Sequence, residues 1–154
     1  MRVPLALGLL FASPVLLSAQ DIRGVWQPVE VRVTDGPQAG RHTSDVQPGL
    51  LILTERHYAN VRVQGFVARG SLPANPTLEA RCAAWEPFVA SAGTYAVTDS
   101  TLSVEAIVAK DPGVLRLTTR IRVMADTLWL FFREPRDGSE RVSKLVRIER
   151  ARTS

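Results

Sequence analysis

Short segments of alternating apolar and polar residues, separated by turn residues, constrain the fold of this chain more than any other feature. A period of two places successive side chains on opposite faces of a β-strand, so each segment is predicted to be a half-buried strand. The connections carry turn residues, as in Lys110-Asp111-Pro112-Gly113. The pattern predicts eight strands, at residues 24–34, 50–54, 58–64, 94–98, 101–109, 115–124, 127–133 and 140–149.

Eight antiparallel strands joined by short turns predict a mainly β protein, an up-and-down barrel whose interior holds one small ligand. The near-uniform spacing leaves no long Greek-key crossover, which favours the barrel over a sandwich of two sheets. Pro28 in the first strand cannot donate a sheet hydrogen bond, so we predict an edge or a bulge there. A bulge lets Trp26 and the later valines of the same strand face one side.

One segment, between the third and fourth predicted strands, has helical spacing instead. Residues 75–91 form this predicted helix, with Asn75 as N-cap and Pro76 in the first helical position. Its apolar row comprises Leu78, Cys82, Trp85 and Val89. Pro87 predicts a kink or a break, because proline is disfavoured inside a helix. We expect this helix to cover the barrel as a lid or plug, with Cys82 as a buried, inert thiol.

The first 20 residues have the layout of a secretory signal peptide. Arg2 gives a positive start, residues 3–17 are almost wholly apolar, and Ala19 supplies a small residue before the cut. The run is too short and too often broken by proline for a good membrane span, although an uncleaved anchor is the alternative. We therefore expect residues 21–154 to form one barrel domain of a secreted or periplasmic protein, without a stable membrane span after cleavage.

Composition and spacing argue against several classes of function. The formal net charge is +4, but the basic residues are spread along strands except at residues 141–152. That stretch has no interleaved aromatic residues, so we do not expect nucleic acid as a partner. Cys82 is the single cysteine and cannot form an internal disulfide. His42 and His57 share no ligand spacing with a second metal-binding residue, so no metal site is predicted. No cofactor is predicted either, since phosphate-loop, serine-elbow and paired-carboxylate motifs are lacking.

Three stretches of the chain match a known pattern. Gly24-Val25-Trp26 is similar to the Gly-x-Trp signature of the lipocalins, and Arg150 lies where those proteins carry a basic residue over the tryptophan. Residues 85–97, WEPFVASAGTYAV, resemble the junction of the bacterial and fungal lipocalin-like domain family. The resemblance covers residues 22–150 and implies a calycin-type barrel closed at one end by Gly24, Trp26 and Arg150. It implies little about activity, because that family has few defined activities.

We expect the barrel to bind a small hydrophobic molecule in its interior. On the strand at 115–124, the row from Leu115 to Val123 is predicted to face inward and the intervening arginines to face solvent. Polar or amphipathic groups orient a ligand in such pockets. The aromatic residues Trp129 and Phe131 share one face of the next strand. The predicted ligand-binding residues are Tyr58, Gln64, Trp85, Phe88, Tyr95, Trp129 and Phe131.

Two alternatives are open from the sequence. An isomerase or cyclase acting on a small apolar substrate would use Tyr58, Tyr95 or Glu105 as acid or base, although no catalytic residue is identified. A structural protein of the cell envelope would instead have a barrel filled by its own side chains. The presence of an interior cavity, and the residues in its wall, distinguish these hypotheses.

Overall fold

The computed structural model describes residues 21–66, 70–113, 115–134 and 137–151. The predicted signal peptide, residues 1–20, lies outside the described residues. In chain order the elements are β1 (Gly24–Asp35), β2 (His42–Thr43), β3 (Gly49–Leu53), β4 (His57–Val63), α1 (Leu78–Trp85), β5 (Phe88–Val97), β6 (Thr101–Ala109), β7 (Arg116–Met124), β8 (Thr127–Arg133) and β9 (Glu140–Arg150).

The strands form one antiparallel sheet that closes on itself. Its order is β2-β1-β3-β4-β5-β6-β7-β8-β9, and β1 also pairs with β9, which closes a barrel of eight strands. The additional strand, β2, has two residues and pairs with Val31 and Arg32 of β1. The predicted mainly β, eight-stranded up-and-down barrel is confirmed, with one helix between its third and fourth strands.

Strand β1 changes the face that it presents to the interior. Its ladder with β9 shifts register between Pro28 and Glu30, which marks an irregularity of the β-bulge type. Trp26 is 0% exposed and Val33 is 1% exposed, although seven positions separate them and a regular strand would place them on opposite faces. The predicted bulge at Pro28 is therefore confirmed, together with its consequence for Trp26 and the later valines.

The well-packed core occupies one end of the barrel, which we call the Trp26 end. The turns at residues 54–57, 98–101 and 124–127 lie there, as expected for alternate connections of an up-and-down barrel. Ile22, which precedes β1, also belongs to this core. The cluster includes Ile22, Trp26, Leu53, Tyr58, Leu102, Ile121, Leu128 and Leu145. The connections between β4 and β5, β6 and β7, and β8 and β9 lie at the opposite end, which we call the Arg62 end.

Helix α1 is shorter than the sequence predicts. It begins after the N-cap Thr77, whose hydroxyl oxygen accepts a hydrogen bond from the Ala80 amide at 3.1 Å, and it ends at Trp85. The predicted N-cap, Asn75, was therefore placed two residues too early. Pro87 ends the helix rather than kinking it, and Phe88 already pairs with Val63 as the first residue of β5. The segment 88–91 has apolar residues that suit a strand as well as a helix.

The predicted role of the helix as a lid is wrong. None of its residues is buried, and Leu78 and Trp85 are 77% and 57% exposed. Cys82 is also exposed, so the prediction of a buried thiol is wrong as well. The helix is attached through its C-terminus, where the Lys110 ammonium donates hydrogen bonds to the carbonyl oxygens of Trp85 and Glu86 at 2.7 and 2.9 Å. Within the described ranges, no helix is long and apolar enough to cross a membrane.

Candidate ligand-binding cavity

The inward face of β4 forms one wall of a cavity. Tyr58, Asn60 and Arg62 alternate with outward residues, and all three lie against the cavity. The register between strands continues this wall, because Asn60 pairs with Ser91 of β5, whose side chain also lines the cavity. The alternation of β4 therefore places a phenol, an amide and a guanidinium in a row that runs from the Trp26 end to the Arg62 end.

The cavity itself is small and mainly apolar. Its volume is about 70 Å³, which corresponds to roughly five water-sized groups. Leucine and aromatic side chains provide most of the wall, including Leu50, Leu102, Leu117, Leu130, Phe132 and Leu145. The polar members of the wall are Tyr58, Asn60, Arg62, Ser91, Thr119 and Ser143. A mostly apolar wall with a few polar groups is typical of small-molecule sites.

Strand β7 confirms the predicted orientation of its two rows from Leu117 onward, whereas Leu115 precedes the strand and is 50% exposed. Thr119, Ile121 and Val123 are buried, and Leu117 and Thr119 line the cavity. The Thr119 hydroxyl donates a hydrogen bond to the carbonyl oxygen of Phe131 at 2.6 Å, so that hydroxyl is already satisfied within the protein. Arg120 and Arg122 face the solvent, as predicted for the arginine row.

The Trp26 end is closed by an arginine, but not by the one that the resemblance implies. The guanidinium carbon of Arg147 lies 4.3 Å from the centre of the Trp26 ring. Arg147 also donates hydrogen bonds to the carbonyl oxygens of Arg23 and Asp21, at 2.7 and 2.8 Å. The side chain of Arg150 is 67% exposed and forms an ion pair with Asp126. The predicted pairing of Arg150 with Trp26 is therefore corrected to Arg147.

Local geometry explains why glycine and tryptophan occupy the start of β1. Gly24 has φ of 136°, and a Cβ atom there would lie 2.3 Å from the Glu149 carbonyl oxygen, so a side chain has no room. The indole N–H of Trp26 donates a hydrogen bond to the Ile22 carbonyl oxygen at 2.8 Å. Next to this closure, the hydrogen-bonded guanidinium of Arg23 lowers the pKa of Asp21 from 3.8 to about 2. The segment before β1 is thus fixed against the base of the barrel.

Of the seven predicted ligand-binding residues, the structure places one, Tyr58, in the cavity wall. Gln64 follows the end of β4 and is exposed, and Trp85 lies on the exposed helix. Trp85 contacts Phe88, with ring centres 5.3 Å apart, outside the cavity. Tyr95 packs on the core, and its hydroxyl donates to the Thr54 carbonyl oxygen at 2.6 Å. Burial raises the pKa of this hydroxyl.

Trp129 and Phe131 lie on the outer face of β8. The inward row of this strand is formed by Leu128, Leu130 and Phe132. Guanidinium groups from the outward row of β7 cover the two outer rings, with Arg120 at 4.5 Å from the centre of Phe131 and Arg122 at 5.6 Å from that of Trp129. The predicted placement of this pair in the ligand-binding interior is therefore wrong.

Asn60, Arg62 and Ser91 are cavity residues that the sequence prediction missed. Asn60 and Arg62 lie between Tyr58 and Gln64 on the same face of one strand, and this parity was the available signal. A charged residue on a strand is usually solvated, so the charge of Arg62 gives no indication that it faces the interior. Burial, and to a smaller extent the charge of Arg141, lower the pKa of Arg62.

The residues considered for metal binding and acid–base catalysis do not converge. In the described part of the chain, no group of three or more His, Cys, Asp and Glu residues is placed to hold a metal ion. His42 lies 3.3 Å from Glu30 on the outer face. Glu105 is also outside the cavity, where it forms an ion pair with Arg116 at 2.7 Å. Among the alternative acid or base residues, Tyr58 is the one in the cavity wall.

Comparison with known proteins adds a distant similarity in fold. No protein-family model and no curated protein matches this chain. Among solved structures, it is similar to an uncharacterized protein from Bacteroides eggerthii, with 12% sequence identity and a TM-score of 0.46. The alignment covers 80% of this chain and 98% of that chain. A similarity this low carries no conclusion about function.

Proposed function

We propose that this protein is an exported binding protein of the lipocalin-like type that holds a small, mainly apolar molecule inside its barrel. The cavity carries this proposal: it lies within the closed sheet, its wall is mainly leucine and aromatic, and its polar groups are few. Transfer of an apolar ligand from water into such a wall is favourable by roughly 25 cal/mol for each Å² buried. The apolar N-terminal segment supports export.

The lipocalin-like assignment is supported by the start of β1. Gly24 fits a position without room for a side chain, and Trp26 is fully buried under the Arg147 guanidinium. These contacts serve the role that the resemblance implies for Gly24 and Trp26, with Arg147 in place of Arg150. A secreted or periplasmic location and a hydrophobic ligand follow as parts of the same proposal.

The other two hypotheses receive less support. An isomerase or cyclase needs a group that exchanges protons with the substrate. Glu105 faces solvent and the Tyr95 hydroxyl is engaged with Thr54, which leaves Tyr58 as the one candidate in the cavity wall. A structural protein would have a barrel filled by its own side chains, and such filling is seen at the Trp26 end, where the core cluster is packed. The cavity toward the Arg62 end favours ligand binding.

Calorimetric titration of the mature protein with a panel of short- and medium-chain apolar compounds tests the proposal. The matched variants are Val104→Phe and Val108→Phe on β6, because Val104 lines the cavity and Val108 is 64% exposed. We expect Val104→Phe to weaken binding at least tenfold by filling the cavity, and Val108→Phe to leave it unchanged. Failure of the mature protein to bind any compound, or equal binding by both variants, would refute the proposal.

A further inference from the structure

The positive charge of Arg62 lies in the cavity wall, and no acidic residue in the described part of the chain is paired with it. Arg62 points inward with Tyr58 and Asn60, and its Nε atom is buried without a hydrogen-bond acceptor. Its guanidinium carbon lies 5.4 Å from the centre of the Phe132 ring, which is also in the wall. The guanidinium of Arg62 thus lies between the Phe132 ring and the cavity, where its Nη groups can meet a ligand.

A second arginine reinforces this charge. Arg141 on β9 pairs with Phe132 of β8 and lies on the same inward row as Ser143 and Leu145. Its Nε atom is likewise buried without an acceptor. The two arginines are close enough for the charge of Arg141 to lower the pKa of Arg62, in addition to the larger effect of burial. Two like charges buried close together are unfavourable unless an anion accompanies them.

The described part of the chain does not supply that anion. Its ion pairs involve other basic residues, and no carboxylate there lies within 4.0 Å of Arg62 or Arg141. Asp137, in the exposed connection between β8 and β9, is the acidic residue whose pKa is affected by the charge of Arg141. The pKa of Asp137 is lowered mainly by hydrogen bonds from Ser139 and only to a smaller extent by Arg141. Arg62 therefore lacks a counterion from this part of the protein.

We propose that the ligand is an amphiphilic carboxylate, whose anionic group binds Arg62 and is favoured by the nearby charge of Arg141, while its apolar part fills the cavity. The planar guanidinium fork fits a carboxylate through two parallel hydrogen bonds, and it stays charged at neutral pH. The cavity of about 70 Å³ accommodates an apolar part on the order of five methylene groups. This inference rests on the proposed binding function and specifies its ligand class.

The charge requirement can be tested with ligands of equal length. Octanoate and octanol are titrated against the mature protein by calorimetry at neutral pH and low salt, with the methyl ester of octanoate as a second neutral compound. We expect octanoate to bind at least tenfold more tightly than either neutral compound. We also expect this preference to decrease as salt is added, because part of the attraction is electrostatic.

Two variants locate the charge. Arg62→Met removes the inward guanidinium, and Arg120→Met is its matched control, because Arg120 also stacks on a phenylalanine, Phe131, but on the outer face. Arg62→Met is expected to weaken octanoate binding at least tenfold and to leave octanol binding within threefold. Arg120→Met is expected to change neither. Without ligand, Arg62→Met should unfold at a temperature no lower than the wild type, because it removes an unpaired buried charge.

The possible results separate this inference from the function on which it rests. Equal affinities of the wild type for octanoate and octanol would overturn the carboxylate assignment and leave the apolar binding function standing. Equal loss of both compounds in Arg62→Met, or a marked fall in its stability, would show that Arg62 has a structural role. Absence of binding by any compound would overturn both proposals. The wild-type comparison decides the charge preference even if Arg62→Met fails to fold.

Discussion

Replacement of Arg147 by alanine should destabilise the barrel more than any other single change to a charged side chain described above. The side chain is 6% exposed, stacks on Trp26 and holds the carbonyl oxygens of Asp21 and Arg23. A cation–π contact contributes about 0.5 to 2 kcal/mol, and each hydrogen bond from a charged donor about 1.5 to 3 kcal/mol. Because such contributions are not additive, we expect a loss of about 3 to 5 kcal/mol in the free energy of unfolding.

The matched control is Arg150→Ala, since Arg150 and Arg147 both contact Asp126. Arg150 is mostly exposed, and surface ion pairs contribute at most about 1 kcal/mol. Urea denaturation of the mature protein, followed by tryptophan fluorescence, measures both variants. At a urea dependence of about 1 to 3 kcal/mol per molar, Arg147→Ala should lower the midpoint by at least about 1 M. A loss in Arg150→Ala that equals or exceeds that in Arg147→Ala would refute this account of the closed end.

Three further predictions concern backbone packing, the thiol and acid stability. Gly93→Ala would place a Cβ atom 2.0 Å from the Glu105 carbonyl oxygen, so thermal unfolding should show a loss of about 3 kcal/mol or more; Gly70→Ala, with open space around it, should be neutral within about 0.5 kcal/mol. Cys82 should react with a thiol reagent in the native protein as fast as in urea, whereas slow native labelling would indicate burial. Carboxyl NMR should show Asp21 titrating at about 2. The pair of Asp21 with Arg23 is exposed and contributes under about 1 kcal/mol to the stability of the fold. This contribution is present above pH 3.8 and is lost as the pH falls toward 2. Titration of Asp21 near 3.8 would contradict this prediction.

Strand alternation was enough to predict the barrel because each half-buried strand reveals its inward row independently of its neighbours. Even the change of face in β1 could be derived, since Pro28 cannot take part in a regular ladder. The helix was harder, because residues 88–91 are compatible with either period and proline could kink or end it. Pairing with β4 decided the outcome in favour of a strand, and that tertiary contact has no local signal in the sequence.

The candidate site was harder still, because aromatic character is a poor guide to inward position in this barrel. Trp129 and Phe131 are covered by arginines of the neighbouring strand, which only the register between β7 and β8 reveals. Arg147 replaces Arg150 at the closed end for a similar reason: Trp26 pairs directly with Arg147 in the β1–β9 ladder, while Arg150 pairs with Gly24. Shifts in register between β1 and β9 separate these pairs, and their positions are not apparent from the residues alone.

An arginine lies against an aromatic ring at each end of the barrel. At the Trp26 end, the arginine has acceptors within the protein: Arg147 meets an aromatic ring and two carbonyl oxygens, so its charge is used to close the fold. At the Arg62 end, Arg62 also meets an aromatic ring, but no carboxylate of the described residues lies within 4.0 Å of it, whereas Asp126 lies 3.2 Å from the Nε atom of Arg147. The two arginines therefore differ in the internal acceptors available to them, namely the two carbonyl oxygens and the carboxylate that Arg147 meets. That difference is the physical reason to expect an external anion at Arg62 and not at Arg147.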